Sequence, residues 1–185
     1  MLIKLLKYKM KQKNKYKFQA VFLDRDGTIN YDSGYTHKFS NFKFRPKVIE
    51  GLKFLTSKKF LIFIVTNQAG VAKGKFKLSD LKKLHIKLKK FLRNKNIIIN
   101  EIQYCPYHPK GVIKKYRKVT NLRKPGNLMI KNILKNWNID LKRSFMLGDM
   151  PSDKIAAKKS NLYFEYVKNN FLKQVKRIER KISNY

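Results

Sequence analysis

The stretch Ala20-Val21-Phe22-Leu23-Asp24-Arg25-Asp26-Gly27-Thr28 decides how this chain reads. Four apolar residues make a short buried strand, and the run stops at two carboxylates separated by a single residue. Gly27 lets the backbone turn sharply, so that both acids can face one site. A D-x-D-G also opens calcium-binding loops, but such loops need further oxygen ligands at regular spacing, and Thr28-Ile29-Asn30 does not continue that pattern. The pair suits covalent and acid–base chemistry: one carboxylate attacks while its neighbour carries protons.

Outward from this stretch, short apolar runs alternate with helical periodicity. Residues 60–65 form a continuous apolar run, as in a strand buried on both faces. Strands are also expected over 97–104, 145–147 and 162–167. Val48, Leu52 and Leu55 predict a helix over 47–58, with Pro46 near its start. Ser79 is expected to cap a helix whose inner face is Leu81, Leu84, Leu88 and Phe91 or Leu92. Leu128, Ile130, Ile133, Leu134 and Trp137 mark another helix, 155–159 a short one, and 170–183 a basic one. Alternation of strands and helices predicts an α/β fold: a parallel sheet with helices on both faces, and no large cap domain. The expected division is a basic arm over 1–17, one domain over 18–168 and a basic helical tail over 169–185.

Open parallel sheets place their chemistry at the carboxyl ends of the strands. Four consecutive strand ends carry candidates: Asp24 and Asp26, then Thr66-Asn67-Gln68, then Arg123-Lys124 in the loop after the third strand, then Gly148-Asp149. Together they suit the hydrolysis of a phosphate monoester. Asp24 can attack phosphorus to form an aspartyl phosphate, and Asp26 can protonate the leaving oxygen and then deprotonate water. Thr66 and Asn67 offer a hydroxyl and an amide to phosphate oxygens. Lys124 is a point charge on a flexible stem, and Arg123 a fork for phosphate or sugar hydroxyls. An anionic nucleophile approaching an anionic phosphate calls for Mg²⁺, with Asp24 and Asp149 as available carboxylates. Asp153 is expected to cap the following helix or to support the site from behind. The long loop over 105–125 is expected to be functional.

The chain has 185 residues, with 45 Lys+Arg against 11 Asp+Glu, for a formal charge of +34. Such a surface attracts polyanions without sequence specificity. The excess is spread along the chain and Lys far exceeds Arg, which fits compositional drift. Acids are scarce, yet Asp24, Asp26, Asp149 and Asp153 are four of the 11. The lone Cys105 excludes an internal disulfide and suits a reducing cytoplasm. No apolar run approaches the roughly 20 residues needed to span a bilayer.

Over residues 18–167 the motifs resemble, in order and spacing, those of the haloacid dehalogenase (HAD) superfamily, with its Rossmann-like domain. They are most similar to the branch of D-glycero-D-manno-heptose 1,7-bisphosphate 7-phosphatases and their histidinol-phosphatase relatives. The resemblance rests on Asp24-Arg25-Asp26-Gly27-Thr28, on Gly34-Tyr35-Thr36-His37, on Thr66-Asn67-Gln68-Ala69-Gly70-Val71-Ala72-Lys73-Gly74, on Cys105-Pro106-Tyr107-His108-Pro109 and on Arg123-Lys124-Pro125. It implies Asp24 as nucleophile and Asp26 as acid/base, with Thr66 and Lys124 stabilising the phosphoryl group. Mg²⁺ would be held by Asp24, the Asp26 carbonyl and Asp149. Asp32, Ser33, Gly34 and Tyr35, with Thr66, Asn67, Gln68, Ala69, Arg123 and Lys124, would line the substrate. It further implies a small phosphorylated sugar as substrate and a monomer, with nucleic-acid 3′-phosphatases as structural cousins. Two departures stand out. Relatives commonly hold a structural zinc with three cysteines and a histidine, whereas here Cys105 stands with Tyr107, His108, Thr120 and Leu122. A closed zinc site needs four ligands, so zinc is expected to be absent. Met150 also stands where the heptose enzymes often have lysine.

Overall fold

The computed structural model of the chain describes residues 17–183. Residues 1–16, nearly all of the expected basic arm, lie outside it. Five strands form one sheet in the order β3-β2-β1-β4-β5: β1 Ala20–Leu23, β2 Leu61–Asn67, β3 Ile99–Cys105, β4 Phe145–Gly148 and β5 Tyr163–Tyr166. Every neighbouring pair is parallel. The strand order reverses at β1, because the chain builds outward through β2 and β3 before returning to β4 on the other side. That reversal opens a crevice at the carboxyl ends of β1 and β4.

Successive side chains of a strand point to opposite faces, and β1 divides its four residues accordingly. Val21 and Leu23 join one core with Ile62 and Ile64 of β2, while Ala20 and Phe22 join a second with Phe63 and Val65. The first core is covered by helices α1 Val48–Ser57, α2 Leu78–Arg93 and α5 Phe171–Ile182, through residues such as Leu52, Leu88 and Ile178. The second is covered by α3 Leu128–Asn136 and α4 Pro151–Lys158, through Met129, Ile133, Ala156 and Ala157. The expected single α/β domain with helices on both faces is therefore what forms.

Several local expectations change. α2 starts one residue before Ser79, and the N-cap position is Lys77, whose N–H is accepted by the Asp80 carboxylate at 3.0 Å. In α3 the buried face is Met129, Ile130 and Ile133, while Leu128 points outward. Trp137 leaves the helix and gives its indole N–H to Glu101 at 3.0 Å. α4 begins at Pro151 rather than at 155, since proline suits the first helical position and Asp153 accepts the Met150 N–H at 3.0 Å. The stretch expected as a basic helical tail is α5, and its inner side belongs to the main core. Phe171, Val175, Ile178 and Ile182 recur at helical spacing and are buried. A Cβ on Gly51 of α1 would lie 2.3 Å from the Phe171 ring, so the two helices meet through a glycine. Lys173, Lys176, Arg177, Arg180 and Lys181 occupy the outer side. Among the described residues no helix is long and apolar enough to cross a membrane.

Candidate active site

Asp24 follows directly from β1, and its N–H bonds to the Leu147 carbonyl of β4 at 3.0 Å, so it sits over the crevice. Lys124 enters from the loop after β3. Its Nζ lies 2.5 Å from Asp24 Oδ1 and 2.6 Å from Asp153 Oδ1, and donates to the Val65 carbonyl at 2.7 Å. Lys124 is only 4% exposed, so the flexible stem expected from the sequence is locked between two carboxylates and a strand carbonyl. Asn67 fixes its backbone as well. The Asn67 amide accepts the Lys124 N–H and donates to the Lys124 carbonyl, both at 3.0 Å. Asn67 thus clamps the Lys124 backbone and keeps a second Nδ2 N–H beyond that clamp.

Asp24, Asp149 and Asp153 each bring a carboxylate oxygen within 4.8 Å of the others. Burial pushes Asp24 up to about 7, against the pull of Lys124. Burial, then Asp153, pushes Asp149 up too. Lys124 is held above the ordinary lysine range: burial opposes its charge, but Asp24 and Asp153 more than compensate. Crowded carboxylates whose charge is disfavoured by burial and by one another are what a hard dication relieves, so the donor set fits Mg²⁺. Gly27 shapes the cradle. Its φ is +80°, and a Cβ there would lie 2.2 Å from Asp149 Oδ2. Thr28 Oγ1 donates to Asp149 Oδ1 at 3.3 Å. Asp153 has one oxygen on Lys124 and the other on the Met150 N–H, which leaves Asp24 and Asp149 the freer pair for a metal.

Asp26 is held from three sides. Arg25 Nη2 donates to its Oδ1 and Oδ2 at 2.8 and 2.7 Å, and Arg25 Nε to Oδ1 at 3.1 Å. Asn30 Nδ2 reaches Oδ1 at 3.0 Å and Gln68 Nε2 reaches Oδ2 at 2.8 Å. Gln68 Nε2 also donates to Thr66 Oγ1 at 2.9 Å. Gln68 is buried, like Thr66 and Lys124, and links the acid/base candidate to the phosphoryl-binding candidate. The sequence reading missed Arg25 and His85 as site residues. A lone arginine between two aspartates gives no sign of which way it points, and His85 lies on α2, far along the chain.

The expected substrate residues form an exposed turn. Asp32 Oδ1 accepts the Gly34 N–H at 3.0 Å, and the Ser33 and Thr36 hydroxyls lie 3.2 Å apart. Tyr35 takes a left-handed φ of 54°, and its hydroxyl accepts from Lys73 Nζ at 3.1 Å. Ala69 is half-buried, and its carbonyl accepts the Lys73 N–H at 2.9 Å. Arg123 is half-buried with Nη1 enclosed and unpartnered among the described residues; burial lowers its pKa. In the loop over 105–125 the buried Cys105 thiol faces the Tyr107 carbonyl at 3.7 Å, and burial pushes it up. His108 Nδ1 accepts the Lys110 N–H at 3.1 Å. The Tyr107 and Tyr116 rings are 6.1 Å apart, Lys118 Nζ lies 4.0 Å over Tyr107, and Ile113 N–H ties the loop to the Ala72 carbonyl at 2.9 Å.

Residues 17–179 match a family model described as polynucleotide kinase 3 phosphatase. The D-glycero-beta-D-manno-heptose-1,7-bisphosphate 7-phosphatase of Rhodopseudomonas palustris is 37% identical over 143 residues, covering 77% of this chain and 79% of the relative. The enzyme of that name from Escherichia coli K12 is 38% identical over 143 residues, covering 77% and 75%. A D,D-heptose 1,7-bisphosphate phosphatase of B. bronchiseptica, solved with magnesium and phosphate, shares the fold with a TM-score of 0.73. It covers 90% of this chain and 97% of that one at 22% identity. These matches, over a site built from strand-end carboxylates, make the chain a HAD-type phosphoric monoester hydrolase, and it belongs to the family of the heptose bisphosphate 7-phosphatases.

Proposed function

We propose that this enzyme removes the 7-phosphate of D-glycero-β-D-manno-heptose 1,7-bisphosphate to leave the 1-phosphate. The observation that carries the reading is Asp24 buried against Lys124 at 2.5 Å beside Asp149, in a chain 37–38% identical to enzymes of that name. Asp24 attacks phosphorus while the bond to the sugar oxygen breaks, and Asp26 gives that oxygen a proton. Asp26 then takes a proton from the water that cleaves the phosphoaspartate. Lys124 balances negative charge on Asp24 and the transferring group, and Thr66 offers its hydroxyl to a phosphoryl oxygen. Mg²⁺, held by the Asp24 carboxylate, the Asp26 carbonyl and Asp149, would screen nucleophile from phosphate. The 32–35 turn, Ala69 and Arg123 receive the sugar and its second phosphate; Arg123 Nη1, without a partner among the described residues, supports a role as donor to a ligand oxygen.

We further infer that no zinc holds the loop over 105–125. Its ring contacts and the bond to Ala72 support it instead, with the Cys105 thiol engaged by a carbonyl. A lone thiol suits the cytoplasm. Lipopolysaccharide precursor synthesis is the process such a product would feed.

A second reading is favoured by the charge of +34 and by the family model: a nucleic-acid 3′-phosphatase. Mg²⁺-dependent phosphate release should be compared on heptose 1,7-bisphosphate, histidinol phosphate and 3′-phosphorylated single-stranded DNA. The heptose substrate is expected to lead in kcat/KM, and faster release from DNA overturns the assignment. D24N is expected to lose at least roughly 10⁴-fold in kcat, and retained Mg²⁺-dependent activity in it ends the nucleophile reading.

A further inference from the structure

Among the described residues Arg25 is the largest side chain with no exposure at all, and a buried guanidinium is costly unless its donors are met. Two of its nitrogens serve the Asp26 carboxylate, and Nη2 also reaches the Thr36 carbonyl at 2.8 Å and Gln68 Oε1 at 3.2 Å. The remaining nitrogen, Nη1, lies 3.2 Å from Nε2 of His85 on α2. Arginine only donates, so His85 Nε2 must be the acceptor, and the ring carries its proton on Nδ1. The ring is 6% exposed and packs 5.5 Å from Tyr104. Burial, then the Arg25 charge, pushes His85 down to about 3, so the ring stays a neutral acceptor throughout the working range of a phosphatase.

We propose that His85 is a positioning residue for the acid/base step: its neutral imidazole fixes the guanidinium of Arg25, and the fixed guanidinium aims the Asp26 carboxylate at the leaving oxygen. The chain of contact is direct, from His85 to Arg25 Nη1 and from Arg25 Nη2 and Nε to Asp26. Gln68 braces the same carboxylate from the other side. Without the His85 acceptor, Nη1 is a buried donor with no partner. The guanidinium then gains by rotating toward another acceptor, and Asp26 follows it. The proposal rests on Asp26 as the proton donor to the leaving group.

That dependence provides the test. A sugar oxygen needs a proton as it leaves, whereas p-nitrophenolate hardly does. Mg²⁺-loaded enzyme should therefore be assayed on heptose 1,7-bisphosphate and on p-nitrophenyl phosphate. The value to compare is kcat/KM, which reports formation of the phosphoaspartate. H85L fills similar space without an acceptor and is expected to lose roughly 10- to 100-fold on the sugar phosphate, a fraction of what proton donation can contribute. Its loss on the aryl phosphate should be several-fold smaller, and KM should stay near wild type. H85Q, long enough to present an oxygen to Nη1, should recover most of the activity. H85N, polar but too short, should resemble H85L and keeps the test open should H85L fail to fold. Equal losses on both substrates, or an H85Q no better than H85N, overturn the proposal. D26N calibrates the bias between substrates. If D26N lacks that bias, the acid role of Asp26 falls and takes the proposal with it; if D26N has it and H85L and H85N do not, the role of His85 alone falls.

Discussion

The crevice over β1 and β4 and the outer face of α2 handle charge in opposite ways. In the crevice, Asp24, Asp26, Asp149 and Asp153 meet Lys124 and Arg25, with distances of 2.5 to 2.7 Å between paired groups. On α2, Lys82, Lys83, Lys87, Lys90 and Arg93 face solvent, and none of them forms an ion pair among the described residues. The helix has one acid, Asp80, and it caps the amino end. A protein so poor in acids places them where an unpaired charge would be most costly. A charge stripped of its partner inside a protein costs several kcal/mol, while an exposed pair contributes at most about 1 kcal/mol. The contrast predicts that single substitutions in the two regions differ in effect by an order of magnitude.

The largest effect is expected at Lys124. K124M keeps the length of the stem but leaves Asp24 and Asp153 facing each other without the cation between them. Urea unfolding of the metal-free protein should show a loss of about 3–5 kcal/mol, the usual cost of breaking a buried pair. Activity should fall to background, because charge on the transferring phosphoryl group is no longer balanced. A K124M protein that unfolds like wild type would mean that the crevice is wet and that its pairs resemble those of the surface.

His85 gives the next effect, through pH. Its imidazole sits at about 3 in the folded chain against an ordinary 6.5. Between those values the unfolded chain binds a proton that the folded chain refuses. Its contribution is therefore full above pH 6.5 and is lost as the pH falls from 6.5 toward 3. At pH 5 the loss amounts to about 2 kcal/mol, at 1.36 kcal/mol for each pH unit below 6.5. In H85Q this proton uptake is gone, so the stability gap between wild type and H85Q should shift by that amount between pH 7 and pH 5. A gap that does not move would show the ring to be wet.

These two residues also mark where the sequence stops being readable. The strand-end acids were legible because apolar runs bracket them and the alternation of strands and helices puts four such ends side by side. The reaction type follows from that, as does the sheet. The directions of long polar side chains do not. The sequence offers the Asn67 amide to phosphate without showing that it clamps the Lys124 backbone, and places Gln68 at a strand end without showing that it bridges Asp26 and Thr66. Arg25 carries no periodicity, and His85 reaches it across 60 residues of chain. α5 was legible as a helix but not as part of the core, since its lysines and arginines masked Phe171, Val175, Ile178 and Ile182.

A smaller effect is expected at Gly27. An alanine there would have to hold a φ of +80° with its Cβ 2.2 Å from Asp149 Oδ2. The left-handed conformation costs about 1–2 kcal/mol for a residue with a side chain. The clash pushes Asp149 away from Asp24, so G27A should need more Mg²⁺ for half-maximal activity, with the thermal midpoint lowered by a few degrees. A Mg²⁺ titration that overlays wild type would separate Asp149 from the metal.

The smallest effect is expected on the outer face of α2. Lys83 and Lys87 are exposed and form no ion pair among the described residues, so K83Q and K87Q remove repulsion as readily as they remove any favourable contact. Each should change stability by no more than about 0.5 kcal/mol in urea unfolding, as surface substitutions usually do. Their effect on the reaction should depend on salt. If the positive surface draws an anionic substrate toward the crevice, kcat/KM falls slightly in both variants at low ionic strength, and the difference closes near physiological salt, where the field of an exposed charge reaches only about 8 Å. A loss that persists at high salt would mean that the lysines of α2 touch the substrate. The contrast between crevice and surface would then no longer hold.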